Sequence, residues 1–396
     1  MFAEEFEFRR TIRHVLDDLG ECAAGSWEQL GHVPREVFAA LGKAGVFQDR
    51  WQKGAFEGVD RLAALIEETS LVSGGLSVSV MGHSEIFIGA LTALARSHPQ
   101  KMLLELALRG DVVGSFAATE VHGGSDLSAV RTIARREGDG WRLTGTKRYI
   151  TNLGAATHVL VLCRIDGRPD VRDLSLFVVP LGREGVRRTG VFDTVGLRAG
   201  LPGEIEIDAH LPGSAMLGGG GLGLAHVNRL LQFERLCICV QLVTAARFSL
   251  GLAAAYARGR QIGETRLIDK QAVRHRLARD HAELWAVESR LRELIAALRA
   301  GRLPAHELAG LKLVASRVCE QVAGDSMQVL GARGFTTNYP LERVWRDTRL
   351  ARIGGGADEV MAEAVASRLD KRDNHFDELV AAYDKGDVPR RIGGVT

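Results

Sequence analysis

Apolar residues recur at helical spacing through the first hundred residues: Phe6, Ile12 and Val15, then Val37, Phe38, Leu41 and Val46. Pro34-Arg-Glu reads as a helix first turn, where proline's missing N–H costs nothing. Asp60 to Val72 carries a stripe of Leu62, Leu65, Ile66 and Leu71. Ser73-Gly-Gly interrupts it, and an apolar helix through Met81 to Ala95 is expected next. From about residue 113 to 215 the period falls to two. Strands are expected at Thr132–Glu137, Trp141–Thr144, Lys147–Thr151, His158–Arg164 and Leu174–Val179. Gly138-Asp-Gly and Asp166-Gly-Arg-Pro mark turns between them. Gly218-Gly-Gly-Gly-Leu-Gly has no βαβ context and reads as a loop entering a long helix. Helices are expected at 223–259, 267–299, 304–330 and 357–385, long enough to pack as a bundle. The pattern predicts an α+β chain: an all-α N-terminal domain (1–112), a central antiparallel, barrel-like β domain (113–215) and a C-terminal four-helix bundle (216–396).

Composition narrows the function more than the fold. The net charge of +2 and the lack of a long basic run argue against nucleic acid as a partner. Five scattered cysteines (Cys22, Cys163, Cys237, Cys239 and Cys319) do not form a disulfide framework. Cys237 and Cys239 form a C-x-C on a helix with no third ligand nearby, so no metal site is expected. The N-terminus is acidic and lacks a basic-then-apolar signal, and no uninterrupted apolar run is long enough to span a bilayer. No membrane partner and a cytoplasmic location are the expectations.

Two segments carry candidate chemistry. Phe116-Ala-Ala-Thr-Glu-Val-His-Gly-Gly-Ser-Asp126 starts as a strand and ends where free backbone N–H groups and a hydroxyl can cradle a phosphate or a heteroaromatic edge. His122 lies within it and reads as a surface or pocket-wall residue. Thr144-Gly-Thr-Lys-Arg-Tyr-Ile-Thr-Asn152 sets Tyr149 and Thr151 two residues apart, on one side of a strand. Such a pair can hold a planar, polyoxygenated cofactor. A further carboxylate, Glu234, stands in the otherwise apolar stretch Leu-Leu-Gln-Phe-Glu-Arg-Leu-Cys-Ile-Cys-Val. Its burial needs either a function or a partner such as Arg235.

With these motifs the chain resembles the acyl-CoA dehydrogenase family of flavoproteins. Further matching blocks are Arg260, Gln271, Gln328-Val-Leu-Gly-Ala-Arg-Gly-Phe335 and Pro340-Leu-Glu-Arg-Val-Trp-Arg-Asp347. The resemblance implies FAD held by Phe116, Ala118, Thr119, Gly124, Ser125, Tyr149 and Thr151. It implies that Arg260, Gln271, Gln328 and Gly331 reach the FAD of a neighbouring subunit, in a homodimer or homotetramer. It also implies α,β-dehydrogenation of an acyl thioester, on CoA or a carrier protein, with flavin N5 accepting hydride and an electron-transferring flavoprotein taking the electrons.

Many family members place the α-proton base near the C-terminus, where this chain has Ile353-Gly-Gly-Gly-Ala-Asp-Glu359, with glycine (Gly355) at the base position. A subset resembling isovaleryl- and long-chain acyl-CoA dehydrogenases uses a Glu-Arg-Leu segment, matched here by Glu234-Arg-Leu236. The resemblance therefore implies Glu234 as base, Arg235 on the substrate's pantetheine or phosphate arm, and Gly354 and Gly355 widening the acyl pocket. Asp358 and Glu359 are reserve carboxylates expected to face FAD or solvent. Val121, Ile262, Ala357 and Trp51-Gln-Lys-Gly-Ala-Phe depart from the family pattern around the cofactor and favour a specialised substrate. A flavin monooxygenase on the same fold and a non-catalytic flavin-binding module are the alternatives.

Overall fold

The computed structural model describes residues 2–20, 23–166, 173–200, 202–369 and 374–385; Cys22 lies outside them. The N-terminal part is helical: α1 Phe2–Asp17, α2 Ala23–Leu30, α3 Arg35–Lys43, α4 Val46–Gln52, α5 Gly54–Glu57, α6 Val59–Val72, α7 Gly74–Met81, α8 Gly89–Leu94 and α9 His98–Leu108. The inward stripe of α1 is Phe8, Ile12 and Leu16, while Phe6 points outward. The apolar helix expected from Met81 begins earlier, at Gly74, where the Ser73 hydroxyl accepts the Leu76 N–H as an N-cap. Residues 82–88 between α7 and α8 take π-helical spacing. This widened turn carries His83 and Glu85 into the interior. Glu85 forms a fully buried, two-pronged ion pair with Arg50 (2.7 and 3.0 Å). His83 accepts the Gly114 N–H and donates to Ala107 O, and burial pushes it down to about 4, so it serves as a neutral connector.

The central strands are β1 Gly114–Ala117, β2 Ile133–Glu137, β3 Gly140–Ile150, β4 His158–Ile165, β5 Leu174–Pro180, β6 Val186–Val191, β7 Gly203–Leu211 and β8 Met216–Leu217. The sheet path is β6-β7-β3-β2-β4-β5-β8, with β1 also on β4. The sheet is mixed, not purely antiparallel as expected. β4 pairs with β5 along one edge and splits the other between β1 and β2, both parallel to it. A tight turn makes β2 and β3 antiparallel, whereas β1 and β2 reach β4 through longer connections and are free to run alongside it. The two strands expected on either side of Gly145 are one, β3. A Cβ at Gly145 would lie 2.5 Å from the Thr132 hydroxyl, so glycine there permits close approach to the segment entering β2.

The bundle comprises α10 Gly223–Gly259, α11 Gln271–Arg299, α12 Ala305–Leu330, α13 Leu341–Thr348 and α14 Asp358–Leu369, with α15 Asn374–Asp384 beyond; the short pair β9 Gln261–Ile262 and β10 Thr265–Arg266 joins α10 to α11. Gly74–Leu94 and Gly223–Gly259 are long and apolar enough to cross a membrane by length and composition. In the fold they are core helices, with 83% and 61% of their most apolar windows buried. α10 packs on α6, and the Phe56 and Phe233 rings meet edge-on at 5.7 Å where α6 begins.

Candidate active site

The two cofactor-like segments are cross-tied by a buried ion pair. Lys147 Nζ on β3 reaches Glu120 Oε1 at 2.7 Å and Ala118 O at 3.1 Å, and the Arg148 N–H donates to Thr119 O at 2.9 Å. Glu120 also accepts the Arg131 and Thr132 N–H groups and the Thr132 hydroxyl. Burial opposes its charge, but Lys147 and these donors outweigh that and hold its pKa below the usual value. The loop after Glu120 is closed by paired backbone bonds with Gly123, leaving Gly124 and Ser125 exposed. Their N–H groups make no backbone hydrogen bond among the described residues, as an anion or ring-edge cradle requires.

At the far end of β3 the chain turns sharply. Tyr149 has φ +55° and Asn152 φ +63°, both left-handed, on either side of Thr151. The exposed Tyr149 ring lies against Phe192 (centroids 4.6 Å apart), with the Arg148 guanidinium over both. Asn152 is buried, and neither end of its amide has a partner among the described residues.

A cavity of about 230 Å³ opens where the three parts of the chain meet. Thr151 and Leu197 line it from the sheet side, Gly74, Val78 and Met81 from α7, Glu234 and Ile238 from α10, and Asp347 and Gly354 from the segment that starts with α13. Glu234 keeps some surface toward this cavity but is otherwise enclosed. Its carboxylate makes no hydrogen bond or ion pair among the described residues. Burial pushes it up to about 7, although Arg235 and Lys312 both pull it down. Asp347, also on the wall, accepts the Leu197 N–H at 2.6 Å, and burial pushes it up to about 7 as well.

Arg235 turns away from the cavity. Its Nε donates to Gly355 O at 2.9 Å. Gly355 has φ +65°, and a Cβ there would meet Ile238 Cδ1 at 2.5 Å, one turn along α10 from Glu234. Gly354 lines the cavity, and a Cβ on it would meet nothing closer than 3.6 Å. Asp358 is largely enclosed rather than turned to solvent. It is bonded to Arg352 (2.7 Å), Ser316 (3.0 Å) and Lys312 (3.5 Å), while Lys312 also donates to Gly356 O. That network anchors the glycine run. Glu359 is exposed.

Arg260, Gln271, Gln328 and Gly331 do not line the cavity. They sit exposed at one end of the bundle, where α10 stops, α11 starts and α12 stops. The structure thus brings Glu234, Thr151 and Gly354 to one cavity, joins the Phe116–Ser125 segment to β3, and sets these four apart. The sequence reading missed the Lys147–Glu120 tie and the wall residues Gln241, Asp347 and Leu197. An ionisable residue in the middle of a strand, at Lys147, was the available signal for the first. Free N–H groups, the Ser125 hydroxyl, the exposed Tyr149 face and the orphaned Asn152 amide beside Thr151 together fit a flavin nucleotide.

Family profiles match three consecutive stretches: the acyl-CoA dehydrogenase N-terminal domain at 3–111, its middle domain at 115–209 and its C-terminal domain at 221–369. An acyl-[acyl-carrier-protein] dehydrogenase MbtN from Mycobacterium sp. (strain MCS) is 33% identical over 379 residues, 94% of this chain and 96% of that protein. The mitochondrial long-chain specific acyl-CoA dehydrogenase of Sus scrofa is 28% identical over 93% of this chain and 87% of its own length. The crystal structure of an acyl-CoA dehydrogenase from Geobacillus kaustophilus superposes with a TM-score of 0.88 at 28% identity, covering 93% of this chain and 98% of that one. The chain belongs to the acyl-CoA dehydrogenase family.

Proposed function

We propose that this chain dehydrogenates an acyl thioester across its α and β carbons, with FAD as cofactor and Glu234 as the α-proton base. The observation that carries the reading is a carboxylate with no partner among the described residues, pushed up to about 7, on the wall of a cavity it shares with Thr151. The α-C–H is a weak acid. A base held by burial at a pKa near working pH is suited to remove it. When bound, FAD supplies the hydride acceptor.

Phe116, Ala118, Thr119, Gly124, Ser125, Tyr149 and Thr151 would hold the cofactor, and Lys147 and Glu120 keep their two segments in register. Arg235 positions Gly355, so any contact with the substrate's arm is secondary to that role. Arg260, Gln271, Gln328 and Gly331 serve a neighbouring subunit's FAD, which calls for a homodimer or homotetramer; their exposure away from the cavity supports this. A carrier-protein thioester is the preferred substrate form, given the similarity to an acyl-carrier-protein dehydrogenase, with a CoA thioester second. An electron-transferring flavoprotein takes the electrons. The described cysteines are free, buried thiols, which suits a reducing compartment such as the cytoplasm. The monooxygenase alternative is not favoured, because the relatives named above are dehydrogenases.

The test is anaerobic mixing of the flavin-loaded protein with acyl-CoA and acyl-carrier-protein panels. Loss of flavin absorbance without NAD(P)H is expected, and Glu234→Gln should keep its flavin and not bleach. Reduction only by an added reductase would point to the monooxygenase. No reduction at all would leave a binding module.

A further inference from the structure

The cavity is long, and α10 measures it. Glu234, Ile238, Gln241, Leu242, Ala245 and Phe248 all line it. Their spacing of three and four residues puts them on one face of a single unbroken helix. Fourteen residues separate Glu234 from Phe248, which at the α-helical rise is ~21 Å. One leaflet's fatty tails occupy roughly 15 Å of a bilayer core.

α6 meets the cavity only at its C-terminal end, through Ser70, Leu71 and Val72. It begins beside Phe233, through the Phe56 ring. Leu71, expected to face inward, is 54% exposed, and Phe248 is 41% exposed. The cavity is therefore uncapped at this end, away from Glu234. Only Thr151 and Leu197 come from the sheet side; every other lining residue belongs to the helices or the segments joining them.

Three polar side chains on the wall each make a bond to backbone. Gln241 donates to Gly74 O, Arg343 donates to Val72 O, and Asp347 accepts from Leu197 N. What remains between Ile238 and Phe248 is apolar, with Ala245 as the small residue midway. A methylene chain can lie along that stretch without needing a hydrogen-bond partner.

Resting on the dehydrogenase reading above, we infer that the chain acts on long-chain acyl thioesters. The α-carbon sits at Glu234 and the tail runs along α10 toward an open mouth at Leu71 and Phe248. Ala245 sets the permitted length.

The experiment uses the flavin-loaded enzyme and S-acyl pantetheines, the portion that CoA and carrier-protein thioesters share, from butyryl through octanoyl and dodecanoyl to hexadecanoyl. Wild type should show kcat/KM rising with chain length. Ala245→Phe should lower the hexadecanoyl-to-butyryl ratio by at least about tenfold, the scale at which a hydrophobic pocket discriminates chain length. Leu71→Glu, at an exposed position that tolerates the change, should lower the same ratio. A wild-type optimum at butyryl, or variants that reduce all chain lengths equally, would overturn the inference and leave the dehydrogenase reading standing. Failure of every acyl chain to bleach the flavin would instead remove the reading beneath it.

Discussion

Arg235 Nε donates to Gly355 O across 2.9 Å, so the residue after the proposed base holds the backbone where many relatives carry theirs. The two alternative base positions of the family thus converge here on one turn of α10. Glu234 comes from the helix, and a side chain at 355 would press on Ile238, four residues on. In the proposed reading a carboxylate stands at one position and glycine at the other. The left-handed φ of Gly355 and the packing of Ile238 against it make the vacancy part of the local structure.

Gly355→Ala should therefore destabilise the protein. A left-handed backbone costs a non-glycine residue roughly 1–2 kcal/mol, and the clash with Ile238 adds overpacking of similar size. Urea unfolding should show a loss of about 2 kcal/mol or more. Adding Ile238→Ala should recover part of the packing share and none of the backbone share. An unchanged midpoint in the single variant would contradict the left-handed turn.

The pH profile tests the electrostatics of the same pair. Glu234 is pushed up to about 7 by burial, with Arg235 the larger of two charges opposing that rise. Only the ionised carboxylate can take a proton, so kcat/KM should climb through a limb near pH 7 and level off above it. Removing the charge in Arg235→Met lets burial act with less opposition and moves the limb to higher pH. Arg235→Lys, which keeps the charge, should leave it nearly in place. A limb that ignores both substitutions would mean that another group titrates.

Long-period features were legible in the sequence, and local exceptions were not. The bounds of α10 were readable to the residue, because a 37-residue helix buries enough apolar stripe to override its internal polar residues. β7 escaped despite clean alternation through Ile205, Ile207 and Ala209, because its acidic outward residues resemble a loop. Glu234 stood out as a carboxylate in an apolar run, although its reading as the base came from the Glu-Arg-Leu resemblance. The Asp358 network was not legible because its partners Lys312 and Ser316 lie more than forty residues away on α12. The cavity was invisible for the same reason: α6, α7, α10 and α13 meet only in three dimensions.

Lys147→Met should separate the two cofactor segments. It leaves Glu120 buried with its hydrogen-bond donors but without its countercharge, and breaking a buried pair from one side costs about 3–5 kcal/mol. Because the same lysine bridges Ala118 O, the purified variant should carry less flavin per chain, read from its visible absorbance. The double variant Glu120→Leu/Lys147→Met should recover stability relative to the single one, since no unpaired charge remains. Full flavin content and an unchanged melting temperature in Lys147→Met would show that the pair does not hold the segments.

Glu234→Gln should have an opposite pair of effects on activity and stability. The folded pKa of about 7 lies above the ordinary value of 4.5, so between these limits the folded protein holds a proton that the unfolded chain has lost. The contribution of this group to stability is full below about pH 4.5, falls as pH rises through the window, and is lost above about 7, where the buried carboxylate stands ionised without a partner among the described residues. Glutamine does not ionise, so the cofactor-free variant should be more stable than wild type at pH 8, by up to about 3 kcal/mol, and equal to it near pH 4.5. Asp347 titrates in the same direction but is present in both proteins, so the difference between their urea-unfolding curves isolates residue 234. A variant that is both inactive and more stable at high pH is the mark of a carboxylate kept in an unfavourable place for its chemistry. Parallel curves across the whole pH range would assign Glu234 to solvent and remove the base from the cavity.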